Sequence, residues 1–249
     1  MTFDHPAFEP YHALIDALGL VHGWPTLDAL NTLAVEYGIQ QSRGLPLHFE
    51  RPEGRLGARD YESRILKTGI VPTRPDNAHD ALNALVWLRF PHFKAALNAA
   101  HGEAFAHETG SLRGRRRDAL TMLDESGIWV ISRDPVLPDM LRARAWQALF
   151  WAARARVDEA MRFIVVGHAL LEKLLTPYPS ITGKCLLLDT AGFDGNTETA
   201  AVAALQTIDT PDLLPPLPVQ GVPRWDAANA VAAYYANVEV FRPARRSLP

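Results

Sequence analysis

Histidine and aspartate lie side by side at His79 and Asp80, in the segment Asn77-Ala-His-Asp-Ala-Leu-Asn83, and the helical stretch that follows closes on His101. Imidazoles and carboxylates supplied by separate helices can hold a divalent metal whose bound water becomes a nucleophile. His79, Asp80, His101 and His168 form the candidate ligand set, and the same chemistry without a metal would use a histidine as general base. Neighbouring side chains on a helix point about 100° apart, so further donors must come from elsewhere, and His101, Asp118, Asp124 and His168 are available. His168 follows the strand-like run Phe163-Ile-Val-Val and begins a helix, where open α/β sheets place their sites. Glu172 lies one turn later on the same face, as a second ligand or as the group that orients the imidazole. The bland reading is that Gly167-His168 makes a tight turn, that Glu172 pairs with an arginine, and that Asp80 is a first-turn carboxylate.

Arginine offers the complementary chemistry. Arg115, Arg116 and Arg117 follow Gly110-Ser-Leu-Arg113-Gly114, and guanidinium forks beside glycines suit a phosphate or carboxylate. With Arg74 and Asn83 they are the candidate ligand-binding residues, against the commoner meaning of such a run as a solvated loop. Trp146, Phe150 and Trp151 sit at helical spacing beside Arg142, Arg144, Arg154 and Arg156. That pattern fits either a base-stacking surface for RNA or a buried aromatic stripe with wet arginines. Asp124 and Glu125 read as residues of a hairpin turn, where acidic side chains are favoured for turn reasons.

The bulk properties limit these readings. The chain has 249 residues, 48% of them hydrophobic, a net charge of -3 and a pI near 6.3. It can bury a sizeable core, and it has no global attraction for nucleic acid or anionic lipid. Lysine occurs only at positions 67, 94, 173 and 184, a bias toward arginine that a GC-rich genome also produces. The single cysteine, Cys185, excludes an intramolecular disulfide and a cysteine-based zinc cage. There is no Walker loop, dinucleotide fingerprint, Gly-x-Ser-x-Gly elbow or paired-histidine zinc helix. The start Met-Thr-Phe-Asp-His-Pro lacks the basic and apolar regions of a signal peptide, and no window approaches a membrane span. A cytoplasmic protein without membrane attachment is expected.

The elements that must position these side chains read as follows. Helices are predicted over 7–18, 25–35, 59–67, 78–90 and 91–101, with Asn77 and Asp80 in capping spacing and Pro91 separating the last two. In the helix after Pro91, Lys94, Asn98 and His101 share a face. Residues 41–57 read as a loop, 118–132 as a hairpin turning at Asp124–Gly127, and 138–156 as one long helix. Strands at 161–166 and 183–188 flank a short helix at 169–175, which points to a parallel crossover in a mixed sheet. A helix over 197–207, a proline-rich extended stretch over 209–225, a helix near 226–236 and a strand at 238–241 complete the reading.

The words HDALNALVWLRFPHFKAALNAAH (79–101), RRRDALTMLDESG (115–127), GHALLEKLLTPYPSIT (167–182), LPPLPVQGVP (214–223) and FRPARR (241–246) resemble an uncharacterised bacterial family known as domain of unknown function 3025. The resemblance spans roughly residues 60 to 246 and implies one family-wide domain. It transfers no catalytic residue.

Together these readings predict a single α+β domain, mainly helical over 1–110, with a small mixed sheet within 111–249. His79, Asp80, Asn83, His101, Asp118, His168 and Glu172 are expected to converge on one pocket rimmed by Arg74 and Arg115–Arg117. The chemistry expected there is hydrolysis of an anionic, phosphorylated substrate, with or without a divalent metal. The alternative is a non-catalytic module that binds an anionic small molecule or RNA. Oligomeric state is not encoded in any of these features.

Overall fold

The computed structural model describes residues 2–107, 114–188, 190, 193 and 195–244. The chain begins with a 3-10 turn at Pro6–Tyr11 that runs into α1 (His12–Ala17), followed by α2 (Leu27–Glu36). Within the expected loop a short strand, β1 (His48–Glu50), pairs in parallel with β2 (Ile70–Pro72), and α3 (Ala58–Thr68) crosses between them. Gly69, at φ 74°, ends α3 in the left-handed conformation that a residue with a Cβ resists.

Helix α4 (Ala78–Arg89) starts at Asn77, whose side chain accepts from the Asp80 amide. Every residue from Ala81 to Leu88 is buried, the signature of a helix with no wet face. Pro91 opens α5 (Pro91–His107), which runs further than its predicted end at His101. Next come α6 (Arg115–Ser126) and β3 (Gly127–Ser132). This corrects the hairpin reading of 118–132. Ala119, Leu120 and Leu123, at helical spacing, bury one face of α6, and the chain passes from helix to strand at Gly127 with no turn between them.

The long helix expected over 138–156 is likewise broken into α7 (Val136–Arg142), a π turn at Ala148–Ala152 and α8 (Arg154–Ala160). Arg144 adopts φ 53°, and the Ala145 amide reaches back to Met140 O at 2.9 Å. A left-handed residue with such a six-to-one bond terminates a helix. Strand β4 (Met161–Val165), α9 (His168–Leu174), β5 (Thr182–Leu187), α10 (Thr197–Leu205) and β6 (Pro216–Pro218) follow.

The main sheet has the order β4-β3-β5-β6 and is mixed. β3 runs antiparallel to β4, with Ile128 opposite Val165, and parallel to β5, with Ile128 opposite Cys185. β4 and β5 therefore run in opposite directions with β3 between them, and the parallel crossover expected across 161–188 does not occur. The proline-rich stretch supplies only the edge strand β6, as the missing amides require. Residues 226–236 form two 3-10 turns rather than a helix, and 238–241 form turns rather than a strand.

Sheet and helices share one core. Trp129 of the fully buried strand β3 meets the rings of Phe90 and Phe93, from the α4–α5 junction, at 4.7 and 4.9 Å. The protein is thus mainly helical α+β. Among the described residues no helix is long and apolar enough to cross a membrane.

Candidate functional site

Five helices bring polar side chains to one place. α4 contributes His79, Asp80 and Asn83 from its first two turns, and α9 contributes His168 and Glu172. α6 contributes Arg117, Thr121, Asp124 and Glu125, α5 contributes His101, and α3 contributes Tyr61 and Glu62. All of these except Glu172, together with Arg74 and Phe105, line a cavity of about 280 Å³.

Strand pairing explains the meeting of α6 and α9. Because β4 runs antiparallel to β3, the end of β4 lies beside the start of β3, and the amides of Val166 and Gly167 both donate to Gly127 O at 3.0 Å. The first residue of α9 therefore stands against the last turn of α6. A Cβ on Gly167 would run into the backbone nitrogens of Ser126 and Gly127, so this close approach requires glycine.

At the centre are two imidazoles. His79 Nε2 and His168 Nε2 are 2.9 Å apart, with ring centroids at 4.4 Å. His79 Nδ1 is 3.0 Å from Glu172 Oε2. A carboxylate only accepts, so His79 donates from Nδ1. The Glu125 carboxylate lies 3.7 Å from His168 Nε2, and the Asp124 carboxylate lies 3.9 Å from His168 Nδ1. That Nδ1 is buried and, among the described residues, has no hydrogen-bond partner. Burial pushes the His168 pKa down to about 4 despite the opposing pull of Asp124, helped by Lys94 and His79. His168 is therefore neutral at neutral pH.

Beneath the imidazoles lies a buried ionic layer. Lys94 is only 5% exposed; it donates to Asn83 Oδ1 at 2.8 Å and pairs with Asp124. Burial alone would raise the Asp124 carboxyl, but Lys94, then His168 and His101, hold it well below the usual range. Glu62 has the opposite fate. Burial and the Asp124 charge push it up to about 7, against the Asn98 side-chain amide that donates to it at 2.6 Å and the Lys94 charge. Glu125 is raised in the same way, by burial and by Asp124.

The sequence-predicted residues divide. His79, Asp80, Asn83, His101, His168, Arg74 and Arg117 line the cavity, and Glu172 adjoins it through His79. Asp118 lies in the first turn of α6, outside the lining. Asp80 is not poised as a metal ligand: its carboxylate accepts from Arg74 Nε, Nη2 and backbone amide at 2.7–2.9 Å, and these bonds outweigh burial to hold its pKa down. Among the described residues, the His, Asp and Glu groups whose donor atoms lie within 4.8 Å of one another are His79, Glu125 and His168. Asp80 and His101 are not part of that group.

The arginine run also divides. Arg115–Arg117 form the first turn of α6 rather than a loop. Arg115 pairs with Asp212 and Arg116 with Asp209, both away from the cavity. Arg117 stacks on Phe105 with its guanidinium carbon 5.0 Å from the ring centroid. Arg113 lies outside the described residues.

Glu125, Lys94, Tyr61 and Glu62 are not among the expected site residues, and Asp124, one of the available donors, reads from the sequence as part of a hairpin turn. The available signal was the spacing of Arg117, Thr121 and Asp124 at i, i+4 and i+7, which places them on one face once the segment is read as a helix. Of the aromatic residues considered for base stacking, Trp146 and Phe150 are buried, while Trp151 is 38% exposed.

Residues 47–245 match the family described as "Protein of unknown function (DUF3025)", and the chain belongs to that family. No curated protein and no solved structure matches it.

Proposed function

We propose that the cavity is a hydrolytic centre for a small, anionic, phosphorylated substrate, a reading on which the family description is silent. One observation carries it: two imidazoles, each with a carboxylate toward its Nδ1, open onto a concave space that also holds the Arg117 guanidinium. Imidazoles held by carboxylates can take a proton from water or hold an ion that lowers the pKa of water. His79 has that form, with Glu172 on Nδ1 and Nε2 facing His168 Nε2 at 2.9 Å. Arg117 supplies charge to the phosphoryl group from beside Phe105, and Arg74 lines the cavity with Asp80 already on its fork. Glu125 lines the same cavity, with its carboxylate 3.7 Å from His168 Nε2. A space of about 280 Å³ suits a phosphosugar or mononucleotide fragment better than an RNA strand.

The test is a screen of phosphomonoesters, nucleotides and phosphosugars with the wild type, His79→Ala and Arg117→Ala. Turnover in the wild type, at least ~100-fold lower kcat in His79→Ala, and a raised KM in Arg117→Ala are expected, since an acid–base group contributes about 10²–10⁴-fold. Binding of phosphate compounds without turnover of any of them would replace catalysis by the ligand-binding reading.

A further inference from the structure

The imidazole pair cannot satisfy its own hydrogen bonds. His79 donates from Nδ1 to Glu172, so in its neutral form its Nε2 carries a lone pair. His168 Nε2, 2.9 Å away, must then carry the proton that joins the two rings. That tautomer leaves a lone pair on His168 Nδ1, buried and facing the Asp124 carboxylate at 3.9 Å with no donor between them. A buried acceptor aimed at a carboxylate is unfavourable.

A positive charge between the two Nε2 atoms removes the conflict. Both Nε2 atoms then present lone pairs to it, the His168 proton moves to Nδ1, and Nδ1–H points at Asp124. A shared proton would do this with the two rings alone. The structure, however, also directs a third, anionic donor to the same point, the Glu125 carboxylate at 3.7 Å from His168 Nε2.

We propose that His79 Nε2, His168 Nε2 and the Glu125 carboxylate bind one divalent transition-metal ion of the zinc class, with Glu172 and Asp124 as the carboxylates that orient the two imidazoles. Two histidines and one carboxylate form a catalytic rather than a structural ligand set, because a coordination position stays open for water. Imidazole backed by a carboxylate is also the common outer-shell arrangement around bound metal. A tetrahedral ion about 2.0–2.1 Å from each nitrogen needs them roughly 3.3 Å apart, so the rings open by only a few tenths of an ångström. Lys94 stays on the far side, neutralising Asp124 rather than meeting the ion. The inference rests on the hydrolytic reading for its purpose, the activation of water at this cavity, while its binding chemistry stands on the donors alone.

The experiment uses the full chain, stripped with chelator and then titrated with Zn²⁺, with Co²⁺ as a spectroscopic probe. One equivalent of Zn²⁺ binds, the thermal midpoint rises, and Co²⁺ develops the visible bands of a low-coordinate site. Glu125→Gln and Glu172→Gln each weaken binding by ~10–100-fold. Glu172 is half exposed, so that variant keeps its fold. Nitrogen-15 spectra of the histidine rings need no variant: His168 changes from Nε2–H in the stripped protein to Nδ1–H on saturation. No stoichiometric binding, equal affinity in wild type and Glu125→Gln, or an unchanged His168 tautomer would overturn the proposal. The two readings fail separately. Hydrolysis that persists in stripped protein with no metal affinity removes the ion and keeps the hydrolase; tight binding without phosphoester turnover does the reverse.

Discussion

At the scale of single residues, identical side chains one or two positions apart do different work. Arg115 and its partner Asp212 have side chains 69% and 79% exposed; such a pair contributes about 0–1 kcal/mol. Arg115→Ala is expected to leave both the thermal midpoint and phosphate binding unchanged in a calorimetric titration. Arg117→Ala, which takes a guanidinium out of the cavity wall, is expected to abolish that binding. Glu62 makes a pH prediction. Its folded pKa of about 7 lies above the ordinary value of 4.5, so between those values the folded protein holds a proton that the unfolded chain has released. Its contribution to stability is present below pH 4.5 and is lost as pH rises through 7. Denaturant midpoints from pH 4.5 to 8 are expected to fall less steeply in Glu62→Gln than in wild type. An identical slope in both would show that Glu62 does not carry the proton.

At the scale of elements, the site depends on where helices begin and end. His79 and His168 are in the first turns of α4 and α9, and Asp124 and Glu125 are in the last turn of α6. Gly167 joins these parts because only a residue without a Cβ lets the entry to α9 lie against the Ser126–Gly127 backbone. Gly167→Ala forces backbone apart where neither side can yield, at a cost of about 1–3 kcal/mol. It is expected to lower the thermal midpoint and to shift the His168 ring resonances while leaving in place those of His22, which is exposed and outside the cavity lining. A variant with unchanged His168 resonances would show that the junction does not position the imidazole.

At the scale of the whole molecule, sheet and helices stand or fall together. Trp129 connects β3 to Phe90 and Phe93, and its indole Nε1 is buried with no hydrogen-bond partner among the described residues. Two replacements separate packing from polarity. Trp129→Ala removes the ring and leaves a cavity, at about 3–5 kcal/mol. Trp129→Phe keeps an aromatic ring and discards a buried donor that bonds to nothing, so it is expected to cost less than half as much. Chemical denaturation followed by far-ultraviolet circular dichroism and by fluorescence is expected to give coincident transitions for both variants. Separate transitions would divide the helical part from the sheet.

The parts of this protein that its sequence determines are those whose physics is local. Asn77 caps α4 because its side chain reaches an amide three residues ahead, Pro91 separates α4 from α5, and the prolines around β6 confine it to an edge. The placement of His79, His101 and His168 on buried segments was legible for the same reason: an imidazole among apolar residues needs a polar neighbour. The remainder came from contacts between distant positions. The pattern of 118–132 reads as a hairpin because a short apolar run fits helix or strand equally until its neighbours are known. In a hairpin Asp124 and Glu125 would sit in a turn, whereas in α6 their carboxylates lie 3.9 and 3.7 Å from the His168 ring nitrogens. Likewise Asp80, beside His79 in sequence, turns to Arg74, while Glu125, 46 positions away in the chain, turns to the imidazoles. Adjacent residues on a helix diverge, so only the antiparallel pairing of β3 with β4, which packs α9 against α6, decided which acids the histidines meet.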